Sequence, residues 1–397
     1  MSRERMAHIE EVVSVGPIAG ADNIEVVGVL GWQCVAKKGD FKVGDKCVYI
    51  EIDSICPPTE MFQFLEPRKF RVKTIKLRKQ ISQGLALPID EAVLALLKKD
   101  LHSLKVGDDV TEAMNIDKFQ SKSDLEGTRT VNGLKSKMWP ITQFLYRFAW
   151  FRWLYRIVYP KRTKGFPSWI KKSDEDRIQN NPTRYLGITD PVYRTEKLDG
   201  QSATYFVQKT KGLFGIFGKL DFGICSRNLR VGLFSNGSWP EVYKRLQFKD
   251  KLEVLYQHYV NLGFDCYGVM FQGEIIGPTI QKNKYHRTEN EFYMFSAAWL
   301  DSKGKTTYFT MQEMVKIAKM LGLNTVPILD PEYKILPTLE EMLKMAEAKS
   351  VISKLPVERE GVVIRTHNQL VSFKVISNKF LLKYADEDED DPAPEAK

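Results

Sequence analysis

The stretch YRTEKLDGQSATYF, residues 193–206, decides how the second half of the chain is read. Lys197 stands two residues before an Asp-Gly pair, Asp199 and Gly200, with strand-forming residues on both sides. Asp-Gly suits a two-residue hairpin turn, because both positions tolerate positive φ. On that basis residues 193–197 and 202–208 are predicted to be strands flanking a tight turn. Lys197 then has two readings, a solvated charge at the edge of the turn or a reactive amine held at a strand end. The four-residue pattern Lys-x-Asp-Gly does not choose between them.

Working outward, 397 residues are too many for one comfortable core, which favours two domains. The formal net charge is +9, yet the final stretch ADEDEDDPAPEAK holds seven acids and one lysine. The body therefore stands at about +15, which suits a polyanionic partner: nucleic acid first, an anionic membrane surface second. A merely soluble basic protein is the alternative. Cys34, Cys47, Cys56, Cys225 and Cys266 show no paired CxxC spacing, so neither a disulfide framework nor a structural zinc site is expected, and a reducing compartment is. The opening MSRERMAHIEEVV lacks the apolar core of a signal peptide, and no run is apolar enough to span a bilayer. These features lead to the expectation of an intracellular protein, cytoplasmic or else nuclear, and monomeric.

Residues 1–118 read as short strands cut by turn signals, in IEEVVSVGPI, NIEVVGVLGWQCVAKKGD and KCVYIEIDSI. The phrase KVGD occurs at 42–45 and again at 105–108, each time expected to lead into a strand. A small OB-like β-barrel with one helix near EAVLALLKKDL fits this pattern. Its most basic stretch, RKFRVKTIKLRKQ, gathers Arg71, Lys73, Lys76 and Arg78 on a strand-like segment. Such charge either protects a solvated sheet edge or lines a groove that tracks phosphates. Residues 119–165 form a linker or insert that turns strongly aromatic over 139–162. That part is expected to be helical and to pack on a neighbouring domain, with a membrane surface or a partner as alternatives. Residues 166–385 mix strands and helices without a strict βαβ rhythm, which predicts an α+β domain. Within it 241–263 reads as one helix ending at Gly263, and two more open at Thr310 and Thr338, each followed three residues later by Glu. Residues 386–397 are expected to be a disordered acidic tail.

Five further segments bear on Lys197. GICSRNLR puts Arg227 on or just after a strand, and VMFQGEIIG puts Glu274 at the end of one. NEFYMFSAAWL is an aromatic strand with Phe292 and Phe295; EREGVVIR starts a β-branched strand at Glu360; VSFKVISNKF carries Lys374. Singly, each has an ordinary reading as turn or core. In this order, the six segments resemble motifs I, Ia, III, IIIa, IV and V of the covalent nucleotidyltransferases, the polynucleotide ligases and capping enzymes. The chain is most similar to RNA ligases of the Deinococcus or Naegleria type, which carry an OB-type module in front. KSDEDRIQN at 172–180 and FRVKTIKLRKQISQGL at 70–85 share in that likeness.

The resemblance implies a nucleotidyltransferase domain, an ATP-grasp-like ligase fold of antiparallel sheets and helices, and an ATP-dependent RNA ligase. Lys197 would attack the α-phosphate of ATP to give lysyl-AMP. The AMP would pass to a 5′-phosphate end, and a 3′-hydroxyl would displace it at a nick or break in RNA or in an RNA/DNA hybrid. By the same resemblance Glu274 would hold the ribose and Glu196 would frame the adenine. Phe295 would stack on the base, with Phe292 as competitor because the usual Phe-Asp pair reads Phe-Ser here. Lys374 would contact the α-phosphate and, with Arg227 and a divalent metal, supply positive charge beside the lysine, while Glu360 with Asp199 or Glu274 would hold Mg2+ or Mn2+. Motif V usually carries Lys-x-Lys, but its second position is Ile376 here, which leaves Lys379 without a clear role. A capping guanylyltransferase, a DNA ligase and a non-catalytic RNA-binding protein are the alternatives. Capping enzymes and most DNA ligases place an OB domain after motif V, where only an acidic tail of about a dozen residues follows here, and DNA ligases usually have an arginine where this chain reads GQSAT.

Overall fold

The computed structural model describes residues 5–119, 165–172, 174–210, 219–233 and 235–384. The aromatic stretch 139–162 and the acidic tail lie outside these residues.

The N-terminal part is built from β1 (Ala7–Pro17), β2 (Ile24–Val29), β3 (Trp32–Lys37), β4 (Lys46–Ile50), β5 (Ser54–Ile55), β6 (Ile75–Leu77), β7 (Gln80–Ser82), β8 (Leu85–Pro88), the helix α1 (Glu91–Leu97) and β9 (Asp117–Lys118). An antiparallel sheet runs in the order β3-β2-β1-β4-β8. Strand β1 serves both halves: residues 7–11 pair with β4, and residues from Val12 onward pair with β2. A bulge between Val12 and Ser14 bends it, and a bent central strand curls the sheet into a half-barrel. Two expectations need correction. The basic stretch 68–80 is not one strand: a 3-10 helix ends at Arg68, and β6 and β7 form a hairpin whose tip, Arg78 and Lys79, has φ of 50° and 69°. The second KVGD leads only to an isolated bridge between Asp109 and His8, because the chain turns again over residues 111–115.

The C-terminal part has two sheets. One, β10-β21-β20-β11-β19, comprises β10 (Asp176–Arg177), β11 (Val192–Lys197), β19 (Ile328–Tyr333), β20 (Gly361–Thr366) and β21 (Ser372–Ile376). The other, β14-β13-β12-β15-β16-β17, comprises β12 (Gln201–Lys209), β13 (Leu220–Cys225), β14 (Arg230–Val231), β15 (Cys266–Ile276), β16 (Glu291–Asp301) and β17 (Thr306–Tyr308), with β18 (Asn324–Thr325) beside β16. Pairing is antiparallel except for β10 with β21 and β18 with β16. Helices α2 (Pro182–Leu186) and α6 (Leu339–Ala346) supply core side chains to the first sheet; α3 (Ser238–Arg245), α4 (Phe248–Asn261) and α5 (Met311–Leu321) supply them to the second. Helix α7 (Asn378–Tyr384) follows β21.

The opening stretch does not form a hairpin. Strands β11 and β12 belong to different sheets, and residues 198–200 are the corner between them. Gly200 is outside the left-handed region, so the turn expected from Asp-Gly is absent. Tertiary contacts override the local preference: Leu198 is buried beside Ile276 and Tyr285, and the Asp199 backbone N–H donates to the Tyr285 hydroxyl at 2.8 Å. Residues 241–263 likewise form two helices, broken where Gln247 takes φ 53°, and α4 ends at Asn261 ahead of Gly263. Both Thr-Glu capping boxes are present, at Thr310 with Glu313 and at Thr338 with Glu341.

Candidate active site

Strand alternation sends every second side chain to opposite faces of a sheet. In β20, Val362 and Ile364 enter the helix-backed core while Val363 and Arg365 face a cleft; in β21, Phe373 and Val375 enter the core while Lys374 and Ile376 face the cleft. Across from them, Phe271 and Ile275 of β15 are core while Glu274 faces the same cleft. The same rule separates the two phenylalanines of β16. Phe292 is 1% exposed and packed against Tyr205 and Phe248, whereas Phe295 lies in the cleft wall. The cleft encloses about 620 Å3 and reaches the N-terminal part, which adds Trp32, Glu51 and Asp53 to its wall.

Lys197 ends β11 at the sheet-to-sheet corner. Its Nζ donates to both oxygens of Glu360, at 2.6 and 2.7 Å. Burial alone would lower its pKa, but Glu360, Glu274 and Asp199 outweigh burial and hold the amine above its ordinary value. Burial pushes the Glu274 carboxyl up to about 8, against the pull of Lys197. Asp199 is engaged by Lys284 at 2.5 Å, and that ammonium also lies over the rings of Phe380 and Tyr384. Glu196 is 1% exposed; one carboxylate oxygen accepts from the Val351 N–H at 3.0 Å, while Oε1 is buried without a hydrogen-bond partner among the described residues. Its burial raises its pKa.

Cations line the other side. Arg227, just after β13, and Lys374 both bind Asp174, at 2.6 and 3.1 Å. Burial lowers the Lys374 pKa, helped by Arg177 and Lys197. The β10–β21 pairing sets Arg177 directly opposite Lys374. Arg365 pairs with Glu175 at 2.6 Å and sits 5.3 Å from the Phe295 ring centroid.

Lys197, Asp199, Glu196, Arg227, Glu274, Phe295, Glu360 and Lys374 are thus all brought to one cleft. Lys379 is not: β21 ends at Ile376, and Lys379 projects from α7 to Glu347, 64% exposed. Arg71 is turned inward, bound to Asp53 at 2.7 Å and stacked on Phe119, and Lys73 is half-buried. Only Lys76 and Arg78 of the four basic residues stand exposed, at the β6–β7 hairpin. Asp174, Glu175, Arg177, Lys284 and Arg365 carried no assignment from the sequence, although KSDEDRIQN and EREGVVIR contain four of them. Among the described residues no three His, Cys, Asp or Glu side chains converge at metal-ligand spacing.

A lysine amine fixed between carboxylates, in a nucleotide-sized cleft whose far wall is cationic, defines a class: nucleotidyltransferases that charge their own lysine. Family profiles narrow it, an OB-fold domain matching residues 6–89 and RNA ligase matching residues 190–384. Among solved structures, a Naegleria gruberi RNA ligase mutant with AMP and Mn is 30% identical with TM-score 0.72, the match covering 96% of this chain and 100% of that one. Another mutant of that ligase, with ATP and Mn, is 31% identical with TM-score 0.72 over 96% and 100%. The same organism's RNA ligase with PPi is 30% identical with TM-score 0.71 over 96% and 99%. No curated protein matches the chain. The chain belongs to the RNA ligase family, and none of its described helices is long and apolar enough to cross a membrane.

Proposed function

We propose that this protein is an ATP-dependent RNA ligase that seals 3′-hydroxyl and 5′-phosphate ends, acting as a monomer at nicks in RNA or RNA/DNA hybrids. The observation that carries the reading is Lys197, held at a sheet-to-sheet corner against Glu360 and facing the cationic wall of Lys374 and Arg227. Lys197 Nζ loses its proton and forms a P–N bond to the α-phosphorus of ATP as pyrophosphate departs. The AMP then passes to an oxygen of the 5′-phosphate end, freeing the lysine. Finally the 3′-hydroxyl attacks that phosphate, AMP leaves, and the phosphodiester closes.

Each lining residue has a place in this scheme. Phe295 and Val363 offer apolar faces to the base, and Glu196 Oε1 is an acceptor awaiting a donor. Adenine presents an amino group there, whereas guanine presents a carbonyl oxygen that this carboxylate would repel, which favours ATP over the GTP of a capping enzyme. Glu274, whose burial favours the protonated carboxyl, suits ribose hydroxyls. Lys374 and Arg227 suit phosphates. The donor set fits a hard divalent ion that takes one or two carboxylates and completes its shell with water and phosphate oxygens. Glu360, with Asp199 or Glu274 as further donors, would hold Mg2+ or Mn2+, supplying charge neutralisation at the phosphates and relieving Lys197 of its counter-charge. We assign residues 1–118 as the RNA-gripping module and 166–385 as the adenylation domain; within the first, Lys76 and Arg78 are placed to meet phosphates and Arg71 is structural.

The deciding experiment is label transfer from α-labelled ATP or GTP to the denatured protein, with Lys197→Ala alongside. Label from ATP that the variant lacks is expected. Label from GTP alone would move the protein to the capping class, and none from either would leave a non-catalytic RNA-binding protein.

A further inference from the structure

We propose that the Asp174 carboxylate competes for the phosphate subsite of the cleft, so that a nucleotide's phosphates bind by exchanging with it. This rests on the ATP reading above. A single oxygen, Asp174 Oδ1, meets Arg227 at 2.6 Å and Lys374 at 3.1 Å. Those two cations come from opposite sheets, Arg227 after β13 and Lys374 on β21, so the carboxylate bridges the cleft as a phosphate oxygen would. Lys118, from the N-terminal part, adds a third positive charge close enough to act on the same group. Without an anion, Arg227, Lys374 and the neighbouring Arg177 would repel one another in a partly buried wall. Asp174 supplies that anion.

The carboxylate is also placed to leave. It is 40% exposed, and it lies two residues before β10, outside the ladder that ties Arg177 to Lys374. Glu175, its neighbour, is different: it is committed to Arg365, with side chains only 14% and 7% exposed. One acid of the pair is fixed, and the other can be exchanged. An incoming triphosphate brings more negative charge to the same cations and wins the contest at working concentrations. The cost is a reduced apparent affinity, set by the fraction of time the subsite is blocked.

The rival account is that Asp174 only steadies the two cations, and it predicts the opposite sign. In full-length Asp174→Asn the KM for ATP in lysyl-AMP formation should fall about three- to tenfold, with kcat within about twofold. The ligand-free melting temperature should drop, yet the rise on adding inorganic pyrophosphate should exceed that of the wild type. Binding of adenosine, which has no phosphate, should not change. Asp174→Ser serves if the asparagine variant folds poorly. An unchanged or raised KM, or an equal pyrophosphate-induced rise in both proteins, overturns the proposal while leaving the ligase reading intact. Should neither protein take label, the ligase reading fails, and the pyrophosphate comparison still decides whether Asp174 competes for that subsite.

Discussion

Lys197 is a poor nucleophile as it stands, because both Glu360 oxygens accept from its ammonium. Removing that counter-charge should free the amine. In Glu360→Gln without metal, Lys197 should react with a lysine-selective acylating reagent about tenfold faster at pH 8, read by peptide mass spectrometry. An unchanged rate would mean the pair does not control its protonation. Glu274 makes a stability prediction with a definite sign. Its folded pKa, about 8, lies above the ordinary 4.5, so the folded state binds a proton that the unfolded state releases. The stabilisation is full below about pH 4.5 and is lost as pH rises toward 8. Glu274→Gln should therefore melt roughly 3–6 °C higher than wild type at pH 8, and the gap should shrink by pH 5. The residue types at the centre were legible in the sequence, because lysines, acids and arginines at strand ends recur in a fixed order. Their partners were not. Asp174 meets Lys374 across 200 positions and Asp199 meets Lys284 across 85, and only the assembled sheets bring them together.

Among the elements, the corner at 198–200 shows where a local rule yields. Asp-Gly favours a hairpin, but β11 finds β20 and β19, β12 finds β13 and β15, and the longer ladders win. What Gly200 supplies is space: a Cβ there would lie 2.3 Å from the Ile275 carbonyl oxygen and 2.9 Å from Glu274 Cγ. Gly200→Ala must push β15 and Glu274 aside. It should cost about 1–3 kcal/mol in urea unfolding and lower lysyl-AMP formation about tenfold or more. Wild-type values for both would show that the corner has slack. The helix caps were legible because a capping box is purely local; Thr338→Ala should cost about 1 kcal/mol in the same unfolding measurement without touching ATP affinity. The break at Gln247 was not legible. No Gly or Pro marks it, and a non-glycine residue in the left-handed region is held there by the packing of α3 and α4.

At the scale of the whole molecule, the N-terminal part closes one side of the nucleotide cleft. Trp32 donates its indole N–H to Asn180 at 2.9 Å, the Gly31 N–H donates to the Gln179 carbonyl at 2.8 Å, and Gln83 reaches Asn378. A Cβ on Gly31 would come within 2.8 Å of the Gln179 backbone, so the two parts approach too closely there for any side chain. The two-part organisation was legible from length and composition, but this contact was not, since nothing in Gly31-Trp32 names its partner. The β6–β7 hairpin carries Lys76 and Arg78 into solvent, and the proposed ligase reading makes them phosphate contacts. Two phosphate contacts have a signature that a general loss of stability lacks, because each releases condensed counterion on binding. Reversing both charges, Lys76→Glu with Arg78→Glu, should weaken binding of nicked duplex RNA and make the slope of log K against log salt shallower by about 2. Lysyl-AMP formation from free ATP should be retained, since neither residue faces the cleft. An unaltered salt slope would mean that the RNA runs elsewhere and that this hairpin is a charged sheet edge guarding against strand pairing.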